Sequence, residues 1–351
     1  MQFYKIADRI KLLICQILFN WVRDSKVKKY FSAFLVIVMV TLSYLIIASA
    51  SIVFNDEYAI PKPYKEQEAK YRLVLITKDI DTEFWEKVGD GASRQASAEG
   101  ASLEKWGSYS NNTEEFLKKL ELAIHAKVDG IIIQGLDTEE FKELTRVKAS
   151  FNGIPIITIA NDVPMKESLR RTYVGSNQFQ AGQLIARELI YDMGTSGKVV
   201  LLYDSEQEYY QSERLAGINE ILKNYPNIQV SQAATSQSRD QVVNTVRDQL
   251  NKAPDLKAFI SVNSNMIGPM VDEIEMRYQV EPYYLYTFDD GAESLPLLEE
   301  GKIDGVVEQD PKKMGEISIQ QLVKWLDSEN EPLDINGYFT DIRILKDEKN
   351  D

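Results

Sequence analysis

The chain has 351 residues, a net charge of −14 and a sequence pI near 4.8. That length admits two compact domains plus a further segment, and the acidic balance excludes a nucleic-acid surface, which needs a basic face. One cysteine, Cys15, and one histidine, His125, exclude an intrachain disulfide and leave a metal site or a His-based triad almost without thiol or imidazole.

Residues 31–54, FSAFLVIVMVTLSYLIIASASIVF, carry no charge. About 20 apolar residues cross a bilayer core, so this run reads as a transmembrane segment. Arg23, Lys26, Lys28 and Lys29 precede it, and Asp56 and Glu57 follow. The positive-inside rule then places residues 1–30 in the cytoplasm and everything after Asn55 outside. A cleaved signal peptide would exit at Ala48-Ser49-Ala50. The long segment before the apolar run exceeds a usual signal n-region, and an uncleaved signal anchor is the favoured reading. Cys15 follows Ile14 and precedes the span, unlike a lipoprotein cysteine. Residues 10–22 are apolar but too short and polar to span; they read as an interfacial helix or as a plain tail. Residues 55–70, with Pro61 and Pro63, read as a linker.

From Tyr71 onward, short apolar runs alternate with amphipathic stretches. The runs are Leu73–Thr77, Val128–Ile133, Ile154–Ile159, Val199–Tyr203, Ala258–Val262, Tyr283–Phe288 and Ile303–Val307. Between them, Glu114–Ala126, Phe179–Tyr191 and Gln241–Leu250 carry helical spacing. This alternation predicts an α/β fold with parallel sheets covered on both faces. It fits two doubly wound domains or a TIM barrel, and periodicity alone does not choose. Several runs end on polar side chains at a turn, where ligands sit in open α/β sheets.

The ordered motifs choose. Leu73-Val74-Leu75-Ile76-Thr77-Lys78 is followed by Phe84-Trp85 and Gly89-Asp90-Gly91-Ala92. Then come Val128-Asp129-Gly130-Ile131-Ile132-Ile133, Gly153-Ile154-Pro155-Ile156-Ile157-Thr158-Ile159, and Tyr173-Val174-Gly175-Ser176-Asn177 with Ala181-Gly182. Arg214-Leu215-Ala216-Gly217-Ile218, Val262-Asn263-Ser264, Phe288-Asp289-Asp290-Gly291 and Glu308-Gln309-Asp310-Pro311 complete the set. In this order and spacing the chain resembles the type I periplasmic sugar-binding proteins, the ribose-binding-like family that shares its core with the lac-repressor superfamily.

The resemblance implies two Rossmann-like lobes joined by a three-crossover hinge that closes on ligand. Lobe one would be residues 71–176 plus 310–341, and lobe two 177–309 plus 342–346. It also implies a ligand site. Phe84 and Trp85 occupy the stacking pair, and Thr82 stands where relatives often have Asn. Arg214 offers a planar fork of donors, Asp289 accepts at a strand end, and Asn263 and Gln309 both donate and accept. Lys78 is placed as in xylose-binding relatives. After Ile159 many relatives carry an acidic residue; this chain has Ala160-Asn161-Asp162. Asn161 keeps a polar contact position, and Asp162 is the candidate to replace the missing carboxylate. Removing Asp289 or Arg214 is expected to abolish ligand response while leaving the unliganded melting temperature nearly unchanged.

No catalytic signature stands out, and no cofactor is expected. Gly194-Thr195-Ser196-Gly197-Lys198 has the wrong spacing for a phosphate loop and precedes a strand. There is no Gly-x-Ser-x-Gly elbow and no His-Glu-x-x-His. The reading is a membrane-anchored, extracytoplasmic receptor for a small sugar or polyol. Its partner is a membrane sensor kinase or the permease of an ABC importer. The alternatives are the core of a sugar-responsive transcriptional regulator, disfavoured by the apolar span where a helix-turn-helix would stand, and a carbohydrate-active enzyme.

Overall fold

The computed structural model describes residues 36–45 and 69–346, apart from 110–111, 207, 237, 278–282, 290 and 329–331. The chain divides into two units, Met1–Glu68 and Ala69–Asp351. In the first, residues 36–45 are helical and Val36, Ile37, Met39 and Val40 are exposed. No helix among the described residues is long and apolar enough to cross a membrane. The rest of the expected span 31–54, the expected cytoplasmic segment 1–30 and the linker up to residue 68 lie outside the described residues.

The second unit begins with β1 (Arg72–Thr77), α1 (Glu83–Ala98), β2 (Ser102–Gly107), α2 (Thr113–His125) and β3 (Gly130–Gln134). It continues with α3 (Glu139–Glu143), β4 (Ile156–Ile159), α4 (Met165–Ser168) and β5 (Thr172–Ser176). Then come α5 (Gln178–Met193), β6 (Gly197–Asp204), α6 (Tyr209–Leu222), β7 (Ile228–Thr235) and α7 (Arg239–Lys252). Next are β8 (Leu256–Ser261), α8 (Ile267–Glu275), β9 (Tyr284–Phe288), α9 (Ser294–Glu299) and β10 (Gly305–Glu308). The unit ends with α10 (Pro311–Leu326), β11 (Tyr338–Thr340) and β12 (Arg343–Leu345).

The strands form two six-stranded sheets, ordered β11-β5-β4-β3-β1-β2 and β12-β10-β9-β8-β6-β7. Every pairing is parallel except β10 with β12. The chain passes between sheets three times: after β5, after β10 and between β11 and β12. Helix α10 returns to pack on α1 in the first lobe, while α5 packs on α6 in the second. This is the expected two-lobe α/β architecture, and it excludes the single closed barrel.

The apolar runs are continuous because each sheet is covered on both faces. Along β1, Val74 and Ile76 belong to one core cluster while Leu73 and Leu75 belong to the opposite one. Along β6, Val199 and Leu201 face one core, Val200 and Leu202 the other. Each such side chain contributes about 1.5–3 kcal/mol on burial. Asn112, Asn177, Ser238 and Asp310 start their helices by accepting a backbone N–H three residues on, which replaces one of the bonds a first helical turn lacks.

Each lobe joins its two closest helices through paired glycines. A Cβ on Gly217 would lie 2.0 Å from the Phe179 carbonyl, and one on Gly182 2.1 Å from the Arg214 carbonyl. In the first lobe, Gly91 and Gly315 stand as close to Lys312 and Val88. These backbones touch only because no side chain intervenes, which accounts for the glycines in the Ala181-Gly182 and Arg214-x-x-Gly217 motifs.

Candidate ligand-binding cleft

In both sheets the strand order reverses beside a central strand, β1 or β6. The carboxyl ends around such a switch point form a crevice. Here the two crevices face each other across a cavity of about 480 Å³ lined by both lobes. That volume suits a small ligand. Residues just past the strand ends supply the polar wall. They are Lys78 after β1, Gln134 at the end of β3 and Asn161 after β4 from the first lobe. The second contributes Asp204 at the end of β6, Asn263 after β8, Asp289 after β9 and Gln309 after β10.

A closed hydrogen-bonded ring organises the second-lobe side. Arg214 Nη1 and Nη2 donate to the two Asp289 carboxylate oxygens, both at 3.0 Å. Gln309 Nε2 also donates to Asp289. Gln178 Nε2 donates to Gln309 Oε1 at 3.2 Å, and Arg214 Nε donates to Gln178 Oε1 at 2.7 Å. A further Nη1 bond reaches the Val262 carbonyl at 2.7 Å. The guanidinium lies between the Phe288 and Tyr210 rings, 4.4 and 4.9 Å from their centroids. Among the described residues these bonds engage four of its five N–H groups, all but one on Nη2.

Arg214 is 2% exposed. Its partner is therefore part of the fold as well as of the cleft, because removing one member of a buried pair leaves an uncompensated charge. The expectation that Asp289 or Arg214 can be lost at little cost to the unliganded protein is corrected accordingly. Asp289 also sits at φ +70°, a left-handed conformation that Asp and Asn tolerate better than most side chains. Beside the ring, the Oδ1 atom of buried Asn263 has no hydrogen-bond partner among the described residues. A buried acceptor left open is costly, and a ligand hydroxyl would satisfy it. Burial pushes the neighbouring Tyr210 phenol up, so it stays a neutral donor.

Phe84 and Trp85 supply the apolar wall. Thr82 caps α1 by accepting from the Trp85 N–H at 3.5 Å, and all three residues line the cleft. The rings meet edge to face, 5.2 Å apart at 87°. Trp85 is 8% exposed and belongs to the first lobe's core, with Phe84 packed against that core. Both rings therefore serve packing as well as the cleft.

Asp162 does not line the cleft. Arg170 holds both of its carboxylate oxygens at 2.6 Å, and the Thr158 hydroxyl donates to it at 2.6 Å. It faces a separate 320 Å³ recess with Tyr173 and Asn336 instead. The turn explains this: Ala160 at φ +63° reverses the chain, so consecutive side chains diverge. Asp162 is withdrawn as a replacement for the missing carboxylate.

Sequence reasoning missed Gln134, Gln178, Asp204 and Glu208, all of which line the cleft. Gln134 and Asp204 were findable as polar ends of apolar strands. Gln178 and Glu208 had no such signal, since they open helices. Glu208 Oε1 accepts from Lys78 Nζ and Glu208 Oε2 from Asn161 Nδ2, both at 2.9 Å, across the two lobes. His125 lies at the exposed end of α2, 3.8 Å from Glu121 and far in sequence from these residues. Among the described residues no His, Cys, Asp and Glu group is arranged to hold a metal.

Comparison with known proteins fits this geometry. Residues 73–330 match the model of the periplasmic binding protein domain. The D-apiose import binding protein of Actinobacillus succinogenes is 26% identical over 196 residues, 55% of this chain. That match spans 62% of the apiose protein's own length, less than two thirds. The D-ribose/D-allose-binding protein of Pseudomonas aeruginosa is 21% identical over 75% of this chain and 84% of its own. Among solved structures, GanP, a glucose-galactose binding protein from Geobacillus stearothermophilus, superposes with a TM-score of 0.73 at 27% identity. It covers 79% of this chain and 97% of that one. The XylFII–LytSN complex contains a fold matching at TM-score 0.68 and 24% identity, over 79% of this chain and 98% of that one. With its two crevices facing across a three-crossover hinge and most of its length matched, the chain belongs to the type I periplasmic binding protein family.

Proposed function

We propose that this protein is an extracytoplasmic receptor, anchored by residues 31–54, that closes its lobes on a small carbohydrate. The observation that carries the reading is the cleft wall opposite the Phe84–Trp85 pair. It sets a fixed acceptor, Asp289, beside donors from Arg214 and Gln309 and an open acceptor on Asn263. Sugars present alternating hydroxyl donors and acceptors around an apolar C–H face, and this wall offers the complement. The sugar-binding names of the similar proteins support the same class.

Ligand shifts the open–closed balance of the lobes by its preference for one state. A membrane partner then reads the closed form. The partner is a sensor kinase, or the permease of an ABC importer that takes the ligand itself. The anchor favours signalling, because a tethered receptor does not diffuse among many permeases. XylFII, similar in fold, is known in a complex with LytSN, which is consistent with a receptor role.

The test is a thermal-shift screen of the full chain in detergent against ribose, allose, apiose, xylose, arabinose, glucose, galactose and inositol. A ligand at 100 times its Kd adds about 2.7 kcal/mol. One strong responder is expected; silence across the panel would overturn the carbohydrate reading. Anchoring is checked separately. The protein is expected in the membrane fraction at full-length mass, and a mature species starting at Ser51 would show cleavage.

A further inference from the structure

We infer that Glu208 sets the charge class of the ligand, acting with Lys78 and Asn161 as a subsite that admits an uncharged hydroxyl and rejects an anion. The inference rests on the carbohydrate reading of the cleft. Glu208 is the N-cap residue of α6, yet its side chain does not cap that helix. It reaches instead across the cleft to the other lobe. Each carboxylate oxygen accepts one bond there, and a carboxylate offers about four acceptor directions, so two remain open. The start of α6 also favours a negative charge at this position.

Lys78 is aimed from the opposite side by its own backbone. Its N–H donates to Gln134 Oε1 at 2.9 Å, and its carbonyl accepts from the Ser108 hydroxyl at 2.6 Å. Its side chain is 7% exposed against 25% for Glu208. Such a buried ammonium needs a countercharge, and Glu208 is the carboxylate that reaches it. Paired, the two present a donor and an acceptor side by side with no net charge, suited to a hydroxyl. The wider lining reinforces the sign: among the described residues, seven carboxylate side chains and three cationic ones face the cleft. An anionic sugar entering it meets net repulsion. Position 160 carries only a methyl group, so at this subsite the carboxylate comes from Glu208 and not from residue 160.

Glu208→Gln separates the possibilities. The amide keeps the shape and an acceptor for Asn161, and leaves Lys78 without its countercharge. Calorimetry on the full chain in detergent would use the neutral panel above, together with glucuronate, galacturonate and ribose 5-phosphate. Wild type is expected to bind a neutral member and none of the three anions. In Glu208→Gln, affinity for that neutral sugar falls about tenfold or more, and at least one anion binds. In Glu208→Gln combined with Lys78→Met, the anion binding disappears again, an outcome that a purely structural defect would not give. Wild type binding an anion, or Glu208→Gln keeping both its affinity and its rejection of anions, would overturn the inference while the carbohydrate reading stood. If wild type bound no panel member, the carbohydrate reading would fall and this inference with it.

Discussion

Asp289→Asn is expected to lower the stability of the second lobe and abolish ligand-induced stabilisation together. The substitution removes the only charged partner, among the described residues, hydrogen-bonded to the Arg214 guanidinium, which is 2% exposed. Breaking such a pair costs about 3–5 kcal/mol, and the lower end applies here because the Asp289 side chain is 24% exposed. For a unit of this size that corresponds to a fall in melting temperature of roughly 5 °C. Asparagine is the informative replacement, since it accepts the left-handed backbone at position 289. Adding Arg214→Met removes the stranded charge and keeps an apolar body between the Phe288 and Tyr210 rings. The double variant is therefore expected to regain much of the lost stability and none of the ligand response. Melting curves with and without the responding sugar separate these roles. A double variant as unstable as Asp289→Asn would remove the ion pair as the cause. A preserved ligand response in either would refute the placement of the site.

The second large effect is expected from Gly217→Ala. The added methyl would stand 2.0 Å from the Phe179 carbonyl, a backbone atom that cannot swing away. Helix α6 must then move off α5, and Arg214, one turn earlier on α6, moves with it. Overpacking of this kind costs about 1–3 kcal/mol. The shift also disturbs the ring through Gln178, Gln309 and Asp289, so weaker ligand binding is expected alongside the lower melting temperature. Gly100→Ala is the contrast: its φ is +68°, but nothing lies within 4 Å of the added atom. It should strain the backbone without touching the cleft. A Gly217→Ala protein that melts and binds like wild type would show that the helices do not need this close approach.

Much of this architecture is legible in the chain because its signals are local. Strands such as β3, Gly130–Gln134, are buried along their whole length and read as unbroken apolar runs. Strands β2 and β7 escaped the same reading. They lie at the outer edges of their sheets and are largely exposed, with polar sequences SLEKWG and IQVSQAAT. An edge strand with one covered face leaves too few apolar positions to mark it. Polar residues at the ends of apolar strands are equally visible, which marks Asp289 and Gln309; the family resemblance adds Lys78, Asn161 and Asn263, and all five line the cleft.

Asp162 shows where local reasoning stops. Its neighbour Asn161 reaches the cleft, and adjacency suggested that Asp162 did too. The left-handed turn at Ala160 and the guanidinium of Arg170 turn it elsewhere. The sequence by itself determined the alternation of strands and helices, the polar strand ends and the family pattern, because each is set by residues close together in the chain. The tertiary structure alone decided that Arg214 is buried in a ring of side chains, and that Glu208 closes on Lys78 from 130 residues away. Those contacts depend on how three crossovers set one lobe against the other, a geometry that no short-range hydrophobic period encodes.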